Sequence, residues 1–291
     1  MLKIVFSSIT AILIFLSGTC MAETFNKIVY KPGITKTYGG VTRGPVDTKT
    51  LALVFTGGSY ADCGTLILNT LRKHNDAKAN FFFIGEFLRK DAFGNLIDRI
   101  ISDGHYIGPH SDAHLLYCPW ENRSHTLVTK DEFIVDLAKN FDELAKFGVN
   151  KKNALLWIPP YEWYNDTISA WSDEYGLGII NLTQGTLAAA DYTLDTDKNF
   201  RSNQTIYESI IKKEQTDHNG LNGYILLMHI GTAPGRTEKF ATRLDNLMSY
   251  LEDKEYQFSR VDDMLLVKST ETVTVVWPDT KTKPVSVNKE K

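Results

Sequence analysis

The sequence predicts an α/β barrel of parallel strands wrapped in helices. Three observations predict it. Short apolar or β-branched runs alternate with segments of helical periodicity about seven times. The runs are apolar on both faces, as strands covered by helices must be. Polar residues cluster directly after the strand runs, at the carboxyl face where such barrels carry their chemistry.

The elements follow in order. LALVFT (51–56) precedes the helical GTLILNTLRKHN, ANFFFIG (79–85) precedes FGNLIDRIISDG, and HYIGPH (105–110) precedes a loop and KDEFIVDLAKNFDELAKF. ALLWIP (154–159) is followed by NDTISAWSDEYG, GLGIINLT (176–183) by a polar loop and QTIYESIIKKEQ, and GYILLMH (223–229) by RTEKFATRLDNLMSYLEDK, before the closing YQFSR. In the helices the apolar positions recur at helical spacing, as in Phe133, Leu137, Phe141 and Leu144, or Phe240, Leu244, Leu247 and Leu251. Those residues are core. Seven or eight such units favour a barrel over an open sheet.

The barrel occupies 48–268, preceded by an extension over 23–47 and followed by a tail over 269–291. That tail, TVTVVWPDTKTKPVSVNKEK at its end, is polar with two prolines, which predicts an extended edge strand and a frayed end. At the other end, Lys3, an apolar run too short for a spanning helix, and small residues up to Ala22 read as a signal peptide over 1–22. An exported protein, periplasmic or secreted, follows, with no membrane span after cleavage.

The formal charge is −3, and removal of Lys3 makes it −4; neither sign nor magnitude suggests a nucleic-acid partner, and none is expected. Cleavage also leaves two cysteines, Cys63 and Cys118. An oxidising compartment would allow them to pair; two buried free thiols are the alternative, and a disulfide is the expectation tested below.

The polar residues after the strands carry the chemistry. His110 and His114 stand four apart after a strand run, a spacing at which two neutral imidazoles can face one divalent metal such as zinc. His229 ends a strongly apolar strand, where a carboxylate could orient it as a general acid. Tyr161, Trp163 and Tyr164, with Trp120, place aromatic faces on the mouth loops, suited to stacking on sugar rings.

The order Phe55-x-x-Gly58, His110-Ser-x-x-His114, Pro159-Pro160-Tyr161, Asp191-Tyr192 and Leu227-Met228-His229 resembles the polysaccharide deacetylases of carbohydrate esterase family 4, the NodB-homology group, over nearly the whole mature chain. The resemblance implies a distorted (β/α)7-type barrel that removes N- or O-acetyl groups from an acetylated carbohydrate. It implies a zinc-like metal on an aspartate and two histidines, matched here by His110 and His114, with His229 as acid and Asp191 orienting it.

The resemblance breaks in two places. Where the family reads Thr-Phe-Asp-Asp-Gly, this chain reads Val54-Phe55-Thr56-Gly57-Gly58, so both the base and the metal carboxylate are missing. Ile158 stands where the family has the arginine that pairs with the base. Losing both is coherent, because an arginine beside a missing base would be a buried, unpaired charge. Asp62, the nearest carboxylate in the same loop, is then the expected third metal ligand, with an N-cap of the following helix as its ordinary role. Glu162 is the expected base, with a surface charge as its ordinary role. The expectation is a metal-dependent carbohydrate deacetylase. The alternative is a catalytically silent, carbohydrate-binding barrel; a glycosidase would need two facing carboxylates from Asp62, Glu162 and Asp191.

Overall fold

The computed structural model of the chain describes residues 21–280. The signal peptide expected over 1–22 lies outside them save for Met21 and Ala22, as do residues 281–291. Met21 and Ala22 begin strand β1 (Met21–Asn26), and β2 (Thr35–Thr37) and β3 (Gly40–Arg43) form an antiparallel pair, so the segment before the barrel is itself folded.

The seven expected strands are present as β4 (Thr50–Gly57), β5 (Asn80–Phe83), β6 (Tyr106–Pro109), β7 (Leu156–Trp157), β8 (Gly178–Ile179), β9 (Ile225–His229) and β10 (Gln257–Phe258). The helices between them are α1 (Gly64–Lys73), the single turn α2 (Gly85–Leu88), α3 (Gly94–Ser102), α4 (Lys130–Ala145), α5 (Asp166–Glu174), α6 (Asn203–Thr216) and α7 (Leu244–Asp253), with α8 (Val261–Leu265) after the last strand. Their starts are written in the sequence. Thr129 and Glu132 form a capping box at α4, and Asn165 and Ser202 cap α5 and α6 by accepting from the third backbone N–H. The predicted stripes Phe133, Leu137, Phe141, Leu144 and Phe240, Leu244, Leu247, Leu251 are all buried.

Strand β4 is central, parallel to β5 on one side and β9 on the other, while β5 continues to β6. The ring closes irregularly. The Ile158 N–H reaches the Pro109 carbonyl to join β7 to β6, β7 pairs with β8, and the Thr183 N–H reaches the Ile225 carbonyl to bring the chain back to β9. Val41 of β3 bridges to Ile180 just beyond β8, and β10 pairs with the first two residues of β4. The result is a distorted seven-stranded (β/α) barrel, short-stranded where β7 and β8 hold two residues each.

Alternation along the strands sorts side chains into two layers. Ala52, Val54, Phe82, Tyr106, Leu156, Ile180, Ile225 and Leu227 meet one another inside the barrel. Their neighbours Leu53, Phe55, Phe81, Phe83, Trp157, Ile179, Leu226 and Met228 meet the helices outside. One step further up the inner row stand Thr56, His110 and His229. The last strand among the described residues is β11 (Thr272–Trp277), the expected edge strand, which pairs antiparallel with β1.

Candidate active site

His110 and His229 come to the same rim because both sit four residues beyond an inward-facing strand residue, Tyr106 and Ile225. Thr56 lies directly opposite His229 in the β4–β9 register. The His110 Nδ1 bonds the Ile158 carbonyl at 2.8 Å, and the His114 ring stands 5.1 Å from that of His110 in an edge-on arrangement. Burial, and the nearness of the other imidazoles, hold His110 down to about 3 and His114 down to about 4, so both are neutral at neutral pH.

The loop between them is strained and clamped. Ser111 and His114 have φ of 73° and 55°, a left-handed backbone that costs of order 1–2 kcal/mol in a residue with a side chain. Asp136, fully buried on α4, accepts from the Ser111 hydroxyl at 2.5 Å and from the Asp112 and Ala113 N–H groups at 3.1 and 2.8 Å. Asn140, one turn on, accepts from the His110 N–H and donates to the Phe83 carbonyl. Burial still pushes the Asp136 carboxyl up to about 6. These two residues were missed in the sequence, although their spacing is a signal: positions 136 and 140 fall within the stripe 133, 137, 141, 144, where a polar side chain must have a partner.

The acid side of the site is a pair. The Asp191 carboxylate takes the His229 Nδ1 at 2.6 Å with one oxygen and the His229 backbone N–H at 2.9 Å with the other. Burial opposes the charged imidazole, but Asp191 more than offsets it and His229 is raised above its ordinary value. Glu162, half-buried, lies within electrostatic reach of both. Burial pushes its carboxyl up to about 7, against His229, which draws it down. Tyr161 and Glu162 are consecutive left-handed residues at φ 59° and 53°, and the Asn181 side chain holds this turn by donating to the Glu162 carbonyl at 2.8 Å.

The aromatic mouth divides. Trp120 is 54% exposed and Tyr161 44%, their rings 5.7 Å apart, with Tyr161 lying 4.4 Å from the His114 ring. Trp163 backs them: it packs on Trp120, donates to the Pro119 carbonyl and lies under the Arg123 guanidinium. Tyr164 is not available to a ligand. It is fully buried, with its hydroxyl donated to the Thr37 carbonyl.

Asp62 is likewise not brought to the histidines. One of its oxygens accepts the Thr232 N–H at 2.8 Å and the other pairs with the Lys239 ammonium at 3.0 Å. It does not cap α1 either, whose N-cap is Cys63 without a side-chain bond. Among the described residues no three His, Cys, Asp or Glu side chains come together in a way that could hold a metal ion. Two neutral imidazoles without a carboxylate do not make the donor set of a three-ligand zinc centre. Gly57, where the metal carboxylate is expected, belongs to the outer row: a Cβ there would lie 2.6 Å from the Phe83 ring. The expected disulfide is absent as well; Cys63 and Cys118 are separate buried thiols, pushed by burial up to about 12 and about 11.

Residues 43–180 match the family model described as polysaccharide deacetylase. Among curated proteins, the chain is 26% identical over 227 residues to a peptidoglycan-N-acetylglucosamine deacetylase of Bacillus cereus, covering 78% of this chain and 72% of that protein. It is 24% identical over 231 residues to the peptidoglycan-N-acetylmuramic acid deacetylase of Bacillus subtilis, covering 79% and 77%. Among solved structures, a Bacillus subtilis family 4 carbohydrate esterase superposes with TM-score 0.62 at 21% identity, over 83% of this chain and 97% of that one. A family 4 pseudoenzyme from Bacillus anthracis superposes with TM-score 0.60 at 18% identity, over 79% and 69%.

Proposed function

The chain belongs to the polysaccharide deacetylase family, and from that premise we propose that it is an exported hydrolase removing acetyl groups from a peptidoglycan-like glycan. The observation that carries this reading is the His229–Asp191 pair at 2.6 Å, with the Glu162 carboxyl within electrostatic reach of both. Glu162, ionised above about pH 7, takes a proton from water. The resulting hydroxide attacks the acetyl carbonyl, the acyl bond to the sugar breaks, and His229 returns a proton to the leaving atom. The products are acetate and the free sugar group. Trp120 and Tyr161 support the sugar from the rim.

Among the described residues the site supplies two imidazoles and no third metal ligand, so activation of the water falls to Glu162. This favours O-acetyl over N-acetyl groups, since an alcohol leaves more readily than an amine from a carbonyl without a Lewis acid. Export is part of the reading. It is supported by residues 1–22 and by relatives named for peptidoglycan.

The test is acetate release by the purified protein from O-acetylated and N-acetylated peptidoglycan fragments, with and without a chelator, beside His229→Ala. Release from the ester substrate that resists chelation and disappears in the variant is expected. A second reading is favoured by Phe83 filling the space beside Gly57 and by Ile158 in the core: the barrel binds glycan without cleaving it. Glycan binding with no release above the His229→Ala background from either substrate would establish it in place of the first.

A further inference from the structure

Arg236 lies in the loop after β9 and is fully buried, at 0% exposure. Its Nη1 donates to the Thr193 carbonyl at 2.8 Å and to the Thr193 hydroxyl at 3.3 Å. Its Nη2 donates to the Arg201 carbonyl at 3.0 Å and to the Asn203 side-chain oxygen at 3.2 Å, while the guanidinium lies over the Phe200 ring. All of these acceptors are neutral. No ion pair of Arg236 occurs among the described residues, and its Nε has no partner.

A full charge buried among neutral acceptors is costly, and side chains are not held that way by packing alone. Every acceptor lies between residues 193 and 203, and that segment begins two residues after Asp191. Asp191 is itself buried, and it is the first of the carboxylates that favour the Arg236 charge. The fork thus gathers both ends of a long loop whose start carries the orienting carboxylate, and fixes them to the loop that follows His229. A lysine at 236 keeps the charge but not the planar fork, whose two nitrogens reach the Thr193 and Arg201 carbonyls separately.

We propose that Arg236 is the positioning residue that keeps Asp191 on His229, by clamping the loop from 191 to 203 to the loop after β9. Its role in turnover rests on the reading of His229 as proton donor given above; the clamp itself does not.

The experiment uses the full chain with Arg236→Lys, Asn203→Ala and Thr193→Val. Proton NMR follows the low-field Nδ1–H signal of the His229–Asp191 bond, assigned by its loss in His229→Gln, and kinetics follow acetate release from an O-acetylated oligosaccharide. In Arg236→Lys the signal is expected to move toward that of an unpaired imidazole or vanish by exchange. The kcat should fall roughly tenfold with KM within about twofold, as for a residue that acts on orientation. Asn203→Ala should shift the signal in the same direction by less. A folded Arg236→Lys with the wild-type signal overturns the proposal. If that variant does not fold, an unchanged signal in both Asn203→Ala and Thr193→Val overturns it. A wild-type protein that releases no acetate defeats the hydrolase reading, while the NMR comparison still decides the clamp.

Discussion

Phe83 stands where a side chain on Gly57 would go. A Cβ at position 57 would lie 2.6 and 2.8 Å from two carbons of the Phe83 ring and 3.0 Å from Ile230, and Phe83 cannot retreat easily because it is stacked on Phe87 at 4.1 Å. Gly57→Ala should therefore destabilise the fold by about 1–3 kcal/mol, the range for overpacking a dense core. Chemical denaturation measures it; a loss below about 0.5 kcal/mol would show that the ring yields freely.

Glu162 gives a pH-dependent stability that needs no substrate. Its proton is held more tightly in the folded chain, up to about 7 against an ordinary value near 4.5, so the folded state loses stability as pH rises between those values. Glu162→Gln removes the loss. Discounted for partial exposure, the variant should be about 1–2 kcal/mol more stable than wild type at pH 8 and equal to it near pH 4. Equal unfolding midpoints at both pH values would show that the carboxyl is solvated.

The same ionisation sets the activity. Acetate release should rise as pH passes about 7 and decline once His229, itself raised, loses its proton. Glu162→Gln should lower kcat by about 10²–10⁴-fold. A pH profile without an ascending limb in this region would point to another base.

Asp136→Ala strips partners from the Ser111 hydroxyl and two backbone N–H groups in a strained loop. A cost of about 3–5 kcal/mol is expected from donors left buried and unpaired. Thermal unfolding reads this directly, and a midpoint within 2 °C of wild type would contradict it.

Trp120, exposed at the mouth, is expected to hold sugar and little else. Trp120→Ala should raise KM, or weaken oligosaccharide binding, by about tenfold while leaving kcat and the unfolding midpoint nearly unchanged. Titration with an oligosaccharide decides it.

The barrel was legible because strand and helix runs differ in period, and all seven strands and the longer helices between them follow that difference, while the single turn α2 is too short to show it. His110 and His229 were legible as polar residues ending apolar strands. Asp62 was misread because nearness in sequence does not fix direction: Lys239, from a loop 177 positions on, supplies a charge that outbids a place beside neutral imidazoles. Tyr164 was misread with its neighbours, since an aromatic run cannot tell which ring turns inward; the hydroxyl that finds the Thr37 carbonyl does. Asp136 and Arg236 lie far from any motif, and their partners are backbone groups, which carry no residue identity to read.

The β1–β11 ribbon has a mechanical consequence. With residues 1–22 removed, Glu23 faces Val275 and Asn26 faces Thr272, so the outward-leading ends of both strands lie side by side at one end of the ribbon. Tension applied through the two strand ends therefore opens the ribbon like a zip, loading one pair at a time, instead of shearing all the pairs together. Beyond that end β11 still carries Trp277, whose ring is buried against Phe141 and Tyr175. Force on that strand must therefore free the Trp277 ring before the pairs behind it part.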